Sequence, residues 1–182
     1  PFKMSKRKGD FISAQDLINE VNRDSIRFMM LNRSNDVELD FDFDKVLEKS
    51  KDNPVFYVQY SFARICSLFR TLKKDLNDKI ELDLKKFSLN ENEIKIIRKI
   101  FEWPKIIETA SLKYEPHKIP YYLYEVATLF HSYWSKGNED QNFKFIHDGK
   151  IKKSETLAII ILVAIVIQLG MNILGVSLPK KM

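Results

Sequence analysis

The sequence predicts an all-α protein, a helical bundle with a small N-terminal attachment. Three observations predict it. Beyond residue 50 apolar residues recur at steps of three and four, the spacing of one helix face. Turn-forming residues are few, five Gly and six Pro in 182 residues, which suits long helices. No pair of alternating apolar segments offers convincing strand partners after residue 50.

The elements follow in order. In SAQDLINEV, Ser13 offers an N-cap for a short amphipathic helix that reaches Val21. A second short helix is expected from Arg23-Asp24 through SIRFMML to Asn32. In DVELDFDFD acidic and apolar residues alternate, a period of two that predicts an extended segment entering a helix at about Asp44. Asn53-Pro54 reads as an N-cap with proline in the first turn. Behind it Val55, Val58, Phe62, Ile65, Phe69, Leu72 and Leu76 form one unbroken apolar stripe, the clearest helix in the chain. Ser88 with Glu91 resembles a capping box opening a helix through IKIIRKIFE. Trp103-Pro104 is expected to kink or interrupt it. Pro116 and Pro120 bracket the entry to the next helix, YYLYEVATLFHSYW, with Leu123, Ala127, Phe130 and Trp134 on one face. NEDQNFKFIHDGK reads as a polar loop. Ser154 and Glu155 start a last apolar helix that runs to about Leu174, and Gly175 stops it.

Composition bounds the function. With 45% hydrophobic and 30% charged residues, the chain is globular rather than disordered. A net charge of +5 is compatible with a polyanionic partner. Cys66 is the single cysteine, which excludes an internal disulfide and any zinc site needing two thiolates. It is read as a small buried hydrophobe. The most apolar run, LAIIILVAIVI, is shorter than the roughly 20 residues a bilayer needs, so it reads as a core helix and not a membrane span. A cytoplasmic location is expected. His117, His131 and His147 stand at no metal-ligand spacing, and no metal site is expected. His131, in an apolar helix, reads as a satisfied core or boundary histidine rather than a catalytic one.

One short stretch has two readings. PFKMSKRKGDF crowds Lys3, Lys6, Arg7 and Lys8 around a Met-Ser pair. It is either a solvated basic run or a loop whose ammonium groups neutralise a polyphosphate. Five collinear segments bear on that choice. KMSKR followed by KGDF resembles the KMSKS signature loop of class I aminoacyl-tRNA synthetases. RDSIRFMMLNRSNDVELDFDFD, NPVFYVQYSFARICS, EPHKIPYYLYEVATLFHSYW and LGVSLPKKM are similar to successive segments of arginyl-tRNA synthetases, from that loop to the C-terminus.

The resemblance implies a C-terminal portion of a ligase that activates arginine with ATP and Mg2+ and esterifies it to its tRNA. Residues 1–12 would be the loop remnant, 13–53 a connecting helical region and 54–182 the anticodon-binding bundle. Lys3 and Lys6 match the signature lysines, with Lys6 the expected principal phosphate contact. Arg7 stands where the family has Ser. The nucleotide-binding domain would lie upstream, as the absence of an initiator Met also suggests. The chain alone is then expected to bind no ATP, to be inactive, to be monomeric and to leave the loop mobile. The alternative is a stand-alone, non-catalytic helical tRNA-binding module, told apart by whether the reading frame continues upstream of Pro1.

By family match, Tyr60, Arg64, Arg70, Trp134 and Met182 are the candidate anticodon readers, with the C common to the middle of arginine anticodons as the base inspected. Tyr60 lies one turn before Arg64, on the same face. Bland readings stand beside each. Trp134 continues an apolar face, Tyr60 could pack, Arg64 and Arg70 could be solvated charges, and Met182 could fray. Arg64 and Arg70 lie roughly 120° apart on an ideal helix, so one bound loop would have to wrap the helix to touch both. Lys180 and Lys181 would attract phosphates whatever the base.

Overall fold

A computed structural model of the chain describes residues 14–37, 46–82 and 87–182. Ser13, the alternating segment beyond residue 37, the expected start at Asp44 and the loop bearing Lys3 and Lys6 lie outside the described residues. Two short helices, α1 (Ala14–Val21) and α2 (Arg23–Leu31), precede the long α3 (Pro54–Thr71). Then come α4 (Glu91–Phe101), α5 (Trp103–Leu112) and α6 (Lys118–Glu139). A 3-10 turn (Gln141–Phe143), a hairpin of β1 (Ile146–His147) and β2 (Lys150–Ile151), and α7 (Ser154–Leu174) complete it. The all-α expectation holds, with the small antiparallel hairpin as an addition.

α3 starts where Asn53 predicts. Its Oδ1 accepts from the Phe56 N–H at 3.4 Å, and its Nδ2 donates to the Val46 and Glu48 carbonyls at 2.7 and 2.9 Å. The stripe Val55, Val58, Phe62, Ile65 and Phe69 is buried as expected. The helix nevertheless stops before Leu76. Lys73 takes a left-handed conformation (φ 53°), and Lys74 N–H closes back on the Phe69 carbonyl at 3.0 Å, a Schellman closure without its usual glycine. A lysine there bears the Cβ clash that glycine avoids. Lys73→Gly is therefore expected to stabilise the chain by about 0.5–1 kcal/mol, after the extra unfolded-state freedom of glycine is subtracted. A higher urea midpoint at unchanged slope would show it.

α6 is the hub, packing on α3, α4, α5 and α7. Leu123, Ala127 and Phe130 on its inner face meet Ile160, Val163 and Ile167 of α7, all essentially inaccessible. A Cβ on Gly170 would stand 2.7 Å from Leu123 Cδ2, so α7 approaches α6 more closely there than a side chain permits. At 21 residues α7 is long and apolar enough to cross a membrane by length and composition, yet more than half of that span is buried inside the bundle. Phe28 carries α2 into the same core, while Val21, Ile26 and Val46 form a small second cluster.

Three boundaries differ from expectation. The capping box of α4 is Asn90 with Glu93, not Ser88 with Glu91. Ser88 is taken by a tertiary pairing instead, its N–H on Glu155 Oε1 at 3.2 Å and its Oγ accepting from Lys153 Nζ at 3.2 Å. Ser154 lies inside α7, whose N-cap is Lys153, and its hydroxyl donates to Glu155. The expected polar loop is occupied by the end of α6, the 3-10 turn and the hairpin, which turns on Asp148 and Gly149 at φ 48° and 74°. Positive φ at both positions is the geometry of a tight two-residue hairpin turn, and Asp-Gly is its common sequence. Gly175 does end α7, at φ 66°.

Candidate nucleic-acid interface

α3 and α6 lie side by side, and that packing assembles the candidate residues. Tyr60 and Arg64 share one face of α3, and the Arg64 guanidinium carbon sits 4.5 Å from the Tyr60 ring centroid. From α6, Trp134 approaches the same guanidinium at 5.3 Å. Arg64 thus makes cation–π contacts with two aromatic rings on different helices. It is a placed side chain rather than a freely solvated charge.

A third group holds Arg64. His131, 4% exposed, stands one turn before Trp134 on α6. Arg64 Nη1 lies 3.3 Å from its Nδ1, and the Tyr57 carbonyl lies 3.2 Å from its Nε2. A guanidinium only donates, so Nδ1 must accept and Nε2 must carry the hydrogen given to Tyr57. Burial pushes the imidazole pKa down to about 4, with the Arg64 charge adding to the shift against the Tyr57 bond, so the ring is neutral near pH 7. The ring also stacks on Tyr60, centroids 5.6 Å apart and 24° between planes. Both ring nitrogens are paired, as expected of a satisfied boundary histidine, and one partner is a candidate reader.

Trp134 resolves between its two readings as an edge residue. It is half-buried, touching Phe130 at 5.8 Å and Phe145 edge-on at 5.6 Å, while its neighbours on the inner face are sealed. One side joins the core and the other holds Arg64.

The C-terminal tail lies across α3. Ser177 N–H donates to Asp24 Oδ2 at 3.1 Å, and its hydroxyl donates to the same oxygen. Gln59 Nε2 donates to the Ser177 carbonyl and Arg70 Nη1 to the Lys180 carbonyl, both at 3.0 Å. These ties place Lys181 and Met182 on one wall of a shallow cleft of about 360 Å3, with Tyr60, Arg64 and Arg70 as the rest of its rim and Ala63 and Ser67 as its small-residue floor. Arg64 and Arg70 therefore line one cleft despite their angular separation, because the tail bridges them. Met182 is 54% exposed within it. Trp134 opens instead into an adjoining pocket of about 310 Å3 that shares Ser67. Arg64, Arg70, Lys180 and Lys181 make this end of the molecule strongly basic.

The other chemistry-bearing groups stay apart. Cys66 is buried, and burial raises its thiol pKa, which fits an inert side chain. His147 sits exposed at the hairpin turn beside Asp148. Among the described residues no three potential metal-ligating side chains converge. Sequence reading missed His131 as a partner of the cleft, and also the floor. Ala63 and Ser67, small residues beside Tyr60 and Arg64 at helical spacing, were the available signal for the latter.

Comparison with known proteins meets this geometry. The chain is 54% identical over 182 residues to the arginine–tRNA ligase of Pelagibacter ubique and 45% identical over 187 residues to that of Ruegeria pomeroyi. In both cases all of this chain is covered and 32% of the relative, so the chain spans about a third of their length. Its fold matches a crystal structure described as an arginyl-tRNA synthetase from Campylobacter jejuni with TM-score 0.81 and 28% identity, over all of this chain and 38% of that one. It matches the Thermus thermophilus arginyl-tRNA synthetase with TM-score 0.69, over 97% of this chain and 29% of that one; at 19% identity this likeness concerns the fold alone. The model of the DALR anticodon binding domain matches residues 58–182, which hold every residue of the cleft, and the chain belongs to that family.

Proposed function

We propose that this chain is the tRNA-recognition part of an arginine–tRNA ligase and that the cleft at the α3–tail junction reads the middle base of the arginine anticodon. The observation that carries the reading is the convergence of Tyr60, Arg64, Arg70 and Met182 on one basic cleft, with Trp134 holding Arg64 from behind. An unstacked loop base is bound by stacking on an aromatic or guanidinium plane while polar groups reach its edge. Cytosine offers O2 and N3 as adjacent acceptors, which a guanidinium can satisfy together. Uracil carries a hydrogen on N3 and cannot take both bonds, so Arg64 is the group suited to telling the two apart. Arg70, Lys180 and Lys181 supply phosphate attraction that is indifferent to the base.

In the whole enzyme, Lys3 and Lys6 of the KMSKR run would bind the phosphates of ATP, with Mg2+ sharing their charge. The sequence pattern is the support for that part of the reading. The enzyme would work in the cytoplasm as a monomer.

The test is binding of the 182-residue chain to an arginine tRNA and to the same tRNA with its middle anticodon C replaced, at two salt concentrations. Replacement is expected to weaken binding by about tenfold or more, roughly 1.4 kcal/mol. Equal binding to both, with steep salt dependence, would reduce the interface to electrostatic attraction and overturn the anticodon assignment.

A further inference from the structure

We infer that His131 is a positioning residue for base reading, acting through Arg64 and touching no nucleotide itself. The inference rests on the anticodon reading of the cleft. An arginine side chain carries about 2 kcal/mol of rotamer entropy, and a reader that orders itself only on binding loses part of its affinity to that ordering. Here the ordering precedes binding. Tyr60 and Trp134 both lie within cation–π reach of the guanidinium, but such non-directional contacts alone leave it free to rotate about its own axis. The hydrogen bond from Arg64 Nη1 to His131 Nδ1 removes that rotation. It also uses up a donor on one edge, leaving the others for a ligand.

The direction of the bond is secured from behind. Nε2 is committed to the Tyr57 carbonyl, so Nδ1 faces Arg64 as an acceptor and never as a competing donor. Tyr57, Tyr60 and Phe130 contact the ring and hold its plane. The chain from the Tyr57 carbonyl through His131 to Arg64 is a relay of orientation in which each group has a single role.

The test compares wild type, His131→Phe and His131→Gln. Phenylalanine keeps an aromatic ring against Tyr57 and Tyr60 and removes both hydrogen bonds. Glutamine can accept from Arg64 and donate to Tyr57. Measured with the middle-C arginine tRNA and its base-changed counterpart, discrimination is expected to fall about five- to tenfold in His131→Phe, the effect of losing roughly 1–1.4 kcal/mol. It should recover largely in His131→Gln. The salt dependence of binding should be the same in all three, because no phosphate contact changes. A merely structural histidine would leave discrimination intact, or lower affinity for both tRNAs alike. Should His131→Phe fail to fold, nitrogen-15 relaxation of the Arg64 Nε–H in the free wild-type chain decides the matter. An order parameter near about 0.85 supports a preset guanidinium, and one below about 0.6 overturns it. Discrimination by wild type that is unchanged in His131→Phe defeats this inference alone, whereas wild type that does not discriminate defeats the anticodon reading and this inference with it.

Discussion

Replacing Glu93 with leucine is expected to cost about 3 kcal/mol. The Glu93 side chain is wholly inaccessible and has no cationic partner among the described salt bridges. It is held by donors from three helices. Asn90 N–H reaches Oε2 at 2.9 Å and closes the α4 capping box. Tyr133 of α6 donates to Oε1 at 2.9 Å, and Thr156 of α7 donates to the same oxygen. Leucine fills similar space but strands all three donors. Each buried, unmatched group costs about 1–3 kcal/mol, while relief from burying a carboxylate returns part of the sum. For a chain of this size the loss corresponds to a fall in Tm of roughly 10 °C. Thr156→Val removes one donor and leaves the others paired, so it should cost only about 1 kcal/mol. Equal effects from the two variants would show that the carboxylate is not the shared centre of the network.

That network marks a limit of what the sequence discloses. Ser88 followed by Glu91 satisfies the local capping rule, and so does Asn90 followed by Glu93. Local pattern cannot choose between them. Tertiary partners do: Glu155 and Lys153 engage Ser88, and Tyr133 and Thr156 engage Glu93. The end of α3 is a second case. The apolar period runs on to Leu76, and neither Gly nor Pro marks the stop that Lys73 makes at a cost in backbone strain. The hairpin is different, because Asp148-Gly149 was there to be read and its polar surroundings concealed it. What was legible is what period and punctuation encode, namely the stripe of α3, the Asn53-Pro54 start, the break at Trp103-Pro104 and the stop at Gly175.

The site divides in the same way. Tyr60 and Arg64 share a face by spacing alone. Nothing in the spacing brings Trp134, some seventy residues on, to the other side of the guanidinium. That depends on how α3 lies against α6. The tail's hold on Asp24, Gln59 and Arg70 is equally invisible, since it joins residues more than a hundred positions apart. His131 is the extreme instance. Its helix is largely apolar, and its meaning comes from an arginine on another helix.

Acidification should expose that meaning. The folded imidazole has its pKa pushed down to about 4, against the ordinary value of about 6.5 it regains on unfolding. Between those values the unfolded chain binds the extra proton and the folded chain does not, so stability falls as pH falls. The contribution is fully present above about pH 6.5, and roughly 2 kcal/mol of it is expected to be gone at pH 5. Glu155, whose carboxyl is held below its usual range chiefly by a backbone hydrogen bond, loses its contribution only at lower pH, outside this window. Urea unfolding at pH 7 and pH 5 should therefore show a steep loss in wild type and a much shallower one in His131→Phe. Parallel slopes would mean the imidazole is not buried neutral. The same protonation would turn Nδ1 from acceptor to donor and oppose one positive group to another, so Arg64 must leave its place. With Trp103→Phe as background, Trp134 emission in the folded chain should change with a midpoint at about pH 4, below the window of the stability loss. Only there does the folded imidazole take the proton and displace the cation from the Trp134 ring.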